Sequence, residues 1–74
     1  MRHFTNLTER EEEILALVAK GHANKTIART LSISIFTVQN HMQNLFEHLE
    51  VRNRTEAASK YWQCVAQSQF QQND

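Results

Sequence analysis

The sequence predicts one small all-α domain with four helices, in which the second and third helices form a helix-turn-helix. Two segments begin with a capping box, and apolar residues recur at intervals of three and four, the spacing of one helix face. The chain has no proline and a single glycine, so nothing interrupts these periodic segments. Its 74 residues have room for one modest core and no second domain.

The first helix is predicted in LTEREEEILALVAKG, residues 7–21. Thr8 and Glu11 form a capping box at its start, where further glutamates complement the positive end of the helix dipole. Gly21 suits the position just past its carboxyl end. Four apolar side chains are expected on its core face: Ile14, Leu15, Leu17 and Val18.

A shorter second helix is predicted in ANKTIARTLSI, residues 23–33, with Ile27, Ala28 and Leu31 facing inward. A tight turn at Ser32 and Ile33 follows it. A short helix, a tight turn and a longer helix form the helix-turn-helix plan, although many small helical domains share this pattern.

The third helix, predicted at about 35–49, separates a core face from a polar face. Ser34 suits its N-cap, and Val38, Met42, Leu45 and Leu49 repeat at four, three and four residues. At about 100° per residue these four side chains fall within about 40° of Val38 on a helical wheel. The opposite side carries Phe36, Gln39, Asn40, Gln43 and Glu47, so it is free to contact a partner.

A fourth helix is predicted after Asn53 and Glu56, which have the spacing of a second capping box. Its apolar residues are Ala57, Ala58, Tyr61, Trp62 and Val65. Three regions are therefore expected: an extension at 1–6, the helical domain at 7–67 and a polar tail at 68–74 that frays.

Composition excludes several classes of protein. The single Cys64 can form neither an internal disulfide nor a two-cysteine metal site, which favours a reducing compartment. No apolar run is long enough for a membrane span, and the first residues lack the apolar region of a signal peptide, so a soluble, intracellular chain is expected. The four histidines lack metal-ligand spacing and no glycine-rich phosphate loop is present, so no metal, cofactor, small-molecule ligand or enzymatic activity is predicted.

The formal net charge is zero, but the charges are unevenly distributed. Glutamates crowd residues 9–13, whereas residues 20–60 hold six lysines and arginines against three glutamates, a net charge of +3. This local positive field is weak for a protein that binds DNA tightly.

Four motifs together closely resemble the LuxR-type (GerE-like) helix-turn-helix domain of bacterial transcription regulators. They are L-T-x-R-E from Leu7, N-K-x-I-A from Asn24, I-S-x-x-T-V-x-x-H from Ile33 and L-x-V-x-x-R-x-x-A from Leu49. All four are in register, and the resemblance spans Leu7 to about Tyr61. It implies a cytoplasmic, sequence-specific binder of double-stranded DNA whose third helix enters the major groove.

The resemblance also implies individual roles. Gln39, Asn40 and Gln43 correspond to the base-contacting positions, and amide side chains can pair with base edges without a charge. Phosphate contacts are implied for five residues: Asn24, Lys25, Ser34, Thr37 and His41. Three roles stay open. Thr37 also suits helix capping and His41 also suits packing at the core edge, whereas Arg54 suits either a DNA contact or a tether between helices.

The resemblance further implies a homodimer through the fourth helix, with a contact formed by Ala58, Tyr61, Trp62 and Val65. Their apolar surface exceeds what one stripe packed on the core requires, and a two-fold contact would bury the same patch twice. The alternative is that Tyr61 and Trp62 complete the core of a monomer and keep their polar atoms at its rim.

Departures from the family pattern keep a second function open. Gln39 and Glu47 stand where basic residues are common, and Ala23 replaces a capping residue. Glu50 replaces the usual glycine after the third helix, so the chain must use either a positive φ at Glu50 or a different turn. Ile35 and Phe36 are apolar at positions that are usually polar. The alternative function is a degenerate helix-turn-helix module that acts by association with a related regulator.

Overall fold

The computed structural model of the chain describes residue 4 and residues 6–72, with side chains up to residue 67. Four helices make up the fold: α1 (Glu9–Ala19), α2 (Asn24–Leu31), α3 (Ile35–Leu49) and α4 (Arg54–Gln72). No strand occurs in this part of the chain. The all-α class, the four helices and the bounds expected for the third helix are confirmed.

The core lies between α1 and the other three helices. α1 packs mainly against α4 and α3, and α2 packs mainly against α3. The side chains that were expected to face inward on α3, namely Val38, Met42, Leu45 and Leu49, are all buried. The other buried apolar side chains are Leu7, Ile14, Leu15, Val18, Ile27, Ala28 and Ala57.

The helix starts follow local capping. Both bonds of the predicted box at Thr8 and Glu11 are present, and the Ser34 hydroxyl accepts from the Thr37 amide at 3.0 Å. At α4 only half of the predicted box forms. The side-chain oxygen of Asn53 accepts from the backbone amide of Glu56, but the Glu56 carboxylate accepts from the Arg52 amide at 2.8 Å and not from that of Asn53. Ala23 provides no side-chain cap for α2, as its sequence implied.

Three residues with positive φ end the first three helices. Gly21 (φ 92°) follows α1, Ser32 (φ 59°) ends α2, and Glu50 (φ 59°) ends α3. For Glu50 the sequence allowed either a positive φ or a different turn, and the structure has the positive φ. Ser32 turns the chain between α2 and α3 within three residues, so the helix-turn-helix forms without glycine at this turn.

A buried carboxylate joins the start of α1 to the end of α3. Glu11 is 3% exposed, and its Oε1 accepts from the backbone amide of Thr8 at 3.0 Å and from Nδ1 of His48 at 2.9 Å. The side-chain amide of Asn6 donates to the carbonyl of His48. Because a buried carboxylate is stable only with such partners, this network holds the two helix ends together.

The structure describes part of each predicted terminal region. Phe4, in the predicted extension, packs against the core. The backbone at 68–72 continues α4, where a fraying tail was expected, and residues 73 and 74 lie outside the described part. The fraying of this tail therefore stays a prediction.

Replacing Glu50 by glycine tests the turn after α3. Glycine adopts a positive φ without the steric cost of a Cβ, so Glu50→Gly should raise the free energy of unfolding by about 1 kcal/mol in urea denaturation. Glu47→Gly, three residues earlier within α3, is the matched control and should lower it by up to about 1 kcal/mol. A loss of stability in Glu50→Gly would contradict the role of the positive φ.

Candidate nucleic-acid interface

The outward side of α3 carries three exposed amide side chains, Gln39, Asn40 and Gln43, which we call the amide face. They lie opposite the buried stripe of the same helix, so burial of that stripe directs them to solvent. All three predicted base-contacting residues are therefore brought to one surface.

Phe36 shares this side of the helix and is 71% exposed. Glu47, also exposed, follows it toward the carboxyl end of α3. The helix thus presents an aromatic ring at its amino end, three amides in the middle and a carboxylate near its end.

The amino end of α3 brings together two predicted phosphate contacts. The hydroxyls of Ser34 and Thr37 are 2.9 Å apart, and the Thr37 amide donates to Ser34. The capping role that the sequence left open for Thr37 is present. One hydroxyl proton forms the hydrogen bond between Ser34 and Thr37. The proton of the other hydroxyl can therefore be donated to an oxygen outside the domain.

His41 lies one turn after Thr37 on the same flank of α3 and is half-buried. On the helical wheel this flank is about 100° or more from Gln43. The structure therefore keeps His41 at the edge of the core, beside the amide face rather than on it.

Asn24 and Lys25 begin α2, and Asn24 lines a groove together with Gln39, on the flank of α3 opposite His41. Asn24 is half-buried and its side-chain oxygen accepts from Arg54, whereas Lys25 is exposed. Predicted phosphate contacts thus lie on both sides of the amide face.

Arg54 is a tether between helices. One terminal nitrogen donates to the side-chain oxygen of Asn24, and the other donates to the carbonyl of His22 at 2.6 Å. These bonds join the start of α4 to the start of α2. Of the two roles that the sequence allowed for Arg54, the structure shows the tether.

A groove of about 470 Å³ runs between the amide face and the starts of α2 and α4. Met42 and Phe46 line it together with Arg54, and the amides of α3 and Asn24 add polar atoms. Its lining residues are Asn24, Gln39, Asn40, Met42, Gln43, Phe46 and Arg54. Phe46 was not among the residues predicted to form this surface, although its wheel position beside Gln39 could have indicated a role.

The predicted dimer residues on α4 differ in exposure. Ala58, Tyr61 and Val65 are half-buried, and Trp62 is 48% exposed. Tyr61 packs against the core and stacks on Phe4 with ring centroids 6.4 Å apart. The indole nitrogen of Trp62 donates to the carbonyl of Ala19 at 3.2 Å. Both aromatic residues thus contact their own domain, and about half of the Trp62 surface also remains exposed to solvent.

The described part of the chain contains neither a metal-binding group of side chains nor a membrane-spanning helix. None of its histidine, cysteine, aspartate and glutamate side chains form a group of three that could hold a metal ion. None of its helices is long and apolar enough to cross a membrane.

Most of this chain matches a known protein family. The sequence model of the family described as bacterial regulatory proteins, luxR family, matches residues 5–61. The chain belongs to this family. It is thus a DNA-binding domain of the kind used in transcription regulation, and the alternative of a module that acts only by protein association is not favoured.

Several LuxR-family relatives are close in sequence to this domain. The monoamine regulon transcriptional regulator of Klebsiella aerogenes is 49% identical over 61 residues, which cover 82% of this chain and 27% of the relative. The response regulator protein VraR of Staphylococcus aureus is 53% identical over 51 residues, or 69% and 24% of the two chains. A putative HTH-type transcriptional regulator of Escherichia coli, YhjB, is 45% identical over 58 residues, or 78% and 29%. This LuxR-family chain therefore spans less than a third of the length of these relatives.

Removing the tether should destabilise this LuxR-family domain. Arg54→Ala breaks two hydrogen bonds from a charged group, so the free energy of unfolding should fall by about 2 kcal/mol in urea denaturation. Arg52→Ala is the matched control, because Arg52 is exposed and only its backbone amide bonds to Glu56; it should change stability by less than about 0.5 kcal/mol. Equal losses in the two variants would contradict the role of Arg54.

Proposed function

We propose that the domain binds double-stranded DNA sequence-specifically, with α3 in the major groove and Gln39, Asn40 and Gln43 in contact with base edges. The observation that carries this proposal is the amide face, which lies exposed on a helix whose opposite side is buried. Gln and Asn can each form two hydrogen bonds with the N6 and N7 atoms of adenine, so a surface without cations can distinguish base pairs.

Phosphate contacts on both sides of this face would set its register on the duplex. On one flank we assign Ser34, Thr37 and His41, and on the other Asn24 and Lys25. The amino ends of α2 and α3 add backbone amides, and the α2 end has no side-chain cap that would compete for them.

The low charge of this surface affects how strongly DNA binding depends on electrostatics. Lys25 is an exposed cation at the start of α2, whereas the exposed carboxylate of Glu47 would repel phosphates. The affinity should therefore depend less on counterion release, and more on direct base contacts, than in a strongly basic DNA-binding domain.

The names of the relatives support a role in transcription. Two are transcriptional regulators and one is a response regulator, so we infer that this domain directs a bacterial regulator to its sites on cytoplasmic DNA. In this role the domain needs no catalytic residue, metal ion, cofactor or small-molecule ligand of its own.

We further propose that two copies associate through α4. Trp62, with Ala58, Tyr61 and Val65 beside it, would form a two-fold contact that covers its exposed ring. Two recognition helices related in this way would face an inverted repeat with half-sites about one helical turn apart.

Alanine substitutions on the amide face test base readout. Gln39→Ala and Gln43→Ala should each cost about 1–3 kcal/mol at the preferred site, found by selection from random DNA, and should relax preference at one base pair. Glu47→Lys is the contrasting variant, because it should tighten binding to any sequence and steepen the salt dependence by up to about one unit of slope. An unchanged site preference in both glutamine variants would exclude this mode of binding.

Charge substitutions on α4 test the dimer. Sedimentation equilibrium from micromolar to near-millimolar protein should show self-association that Trp62→Glu abolishes, because the exposed ring lies in the proposed contact. Gln63→Glu adds the same charge at the neighbouring exposed position and is the matched control, which should still associate. A wild-type chain that stays monomeric and protects one half-site on DNA would rule the dimer out.

A further inference from the structure

Phe36 is the most exposed large hydrophobic side chain in the described part of the chain. It is 71% exposed, compared with 48% for Trp62 and 43% for Ile35. A single exposed apolar residue needs no special explanation, so its exposure alone decides nothing. Its neighbours on the helix are informative.

The ring lies within the polar side of α3. Asn40 and Gln39 follow it by four and three residues, and Gln43, seven residues on, points within about 20° of the same direction. About 10 Å along the helix axis separates Phe36 from Gln43. Phe36 therefore extends the amide face toward the amino end of α3, the end whose residues contact bases in helix-turn-helix complexes.

Burial elsewhere on α3 directs Phe36 outward. Ser34 caps the first turn of α3 through the Thr37 amide, and Val38, two residues after Phe36, is fully buried. With Val38 held inside, the ring of Phe36 cannot turn into the core of its own domain. It must be covered by a partner or stay in water.

We propose that Phe36 determines specificity by packing on the 5-methyl group of a thymine in the major groove, an inference that rests on the proposed DNA-binding mode. Thymine is the base that presents an apolar group there, and apolar side chains recognise it by contact with this methyl. A phenyl ring can form no ordinary hydrogen bond with a base edge, so its contact favours thymine over the other three bases.

A protein partner fits this surface less well. The buried centre of a protein interface is more apolar than the surrounding surface, whereas Phe36 is followed on its own face by Gln39, Asn40 and Gln43. Ile35, the other exposed apolar residue nearby, points about 100° away on the helical wheel. An apolar ring among amides suits the edge of a base pair, which presents both a methyl group and hydrogen-bonding atoms.

Deoxyuridine substitution tests the contact, because it removes only the methyl group of thymine. Each thymine of the preferred site is replaced in turn, and affinity is measured for the wild type, Phe36→Ala and Ile35→Ala. At one position per half-site the wild type should lose about fourfold, the effect expected for burying one methyl group. Phe36→Ala should bind thymine and deoxyuridine equally there, while Ile35→Ala, the matched control, should keep the fourfold difference.

Each outcome bears on a different claim. Insensitivity of the wild type at every thymine, or a difference that persists in Phe36→Ala, overturns the thymine contact and leaves the amide readout intact. A selection that returns no preferred sequence overturns the proposed function and the thymine contact with it. Because Phe36 is exposed, Phe36→Ala should keep the wild-type helical circular dichroism, which separates lost contact from lost folding.

Discussion

The rotation of α3 about its own axis is the constraint on which the functional surface depends. Four side chains on one stripe of this helix are buried against the rest of the domain: Val38, Met42, Leu45 and Leu49. A rotation of one residue, about 100°, would expose this stripe, and burying a side chain of this size stabilises a fold by about 1.5–3 kcal/mol. A 74-residue domain has too little stability in reserve to tolerate that loss. The direction of the amide face therefore follows from hydrophobic burial, without any requirement on the amides themselves.

Polar contacts complement this burial at both ends of the recognition unit. At the carboxyl end of α3, His48 donates to the buried carboxylate of Glu11, which also accepts from the backbone amide of Thr8, the N-cap of α1. At the amino end of α2, Arg54 bonds to Asn24 and to the carbonyl of His22. Both networks link residues at least 30 positions apart, so they hold the helix-turn-helix against α1 and α4. A surface proposed to distinguish base pairs would benefit from such supports, because contact geometry depends on the position of the whole helix.

The departures from the family pattern fall into two groups, one that affects stability and one that changes the surface of α3. Glu50 adopts a left-handed conformation that glycine would adopt without strain, and Ala23 leaves α2 without a side-chain cap. These two changes act on stability and leave the four helices in place. Phe36 and Glu47 alter the surface itself, since one adds an exposed ring and the other a carboxylate to the side of α3 that carries the amides. In the proposed binding mode, this combination would lower the electrostatic share of DNA binding and increase the importance of shape and hydrogen bonding.

The sequence by itself determined the four helices, the N-terminal caps of α1 and α3 and the division of α3 into two faces, because each follows from residues three or four apart. It therefore also determined that Gln39, Asn40 and Gln43 share the exposed side. Only the tertiary structure decided the role of Arg54, the positive φ of Glu50 and the bond between His48 and Glu11. It likewise assigned Tyr61 to the core edge and Ala57 to the interior. These features depend on how helices distant in sequence pack, or on which of two allowed turns that packing favours, and no local pattern encodes that choice.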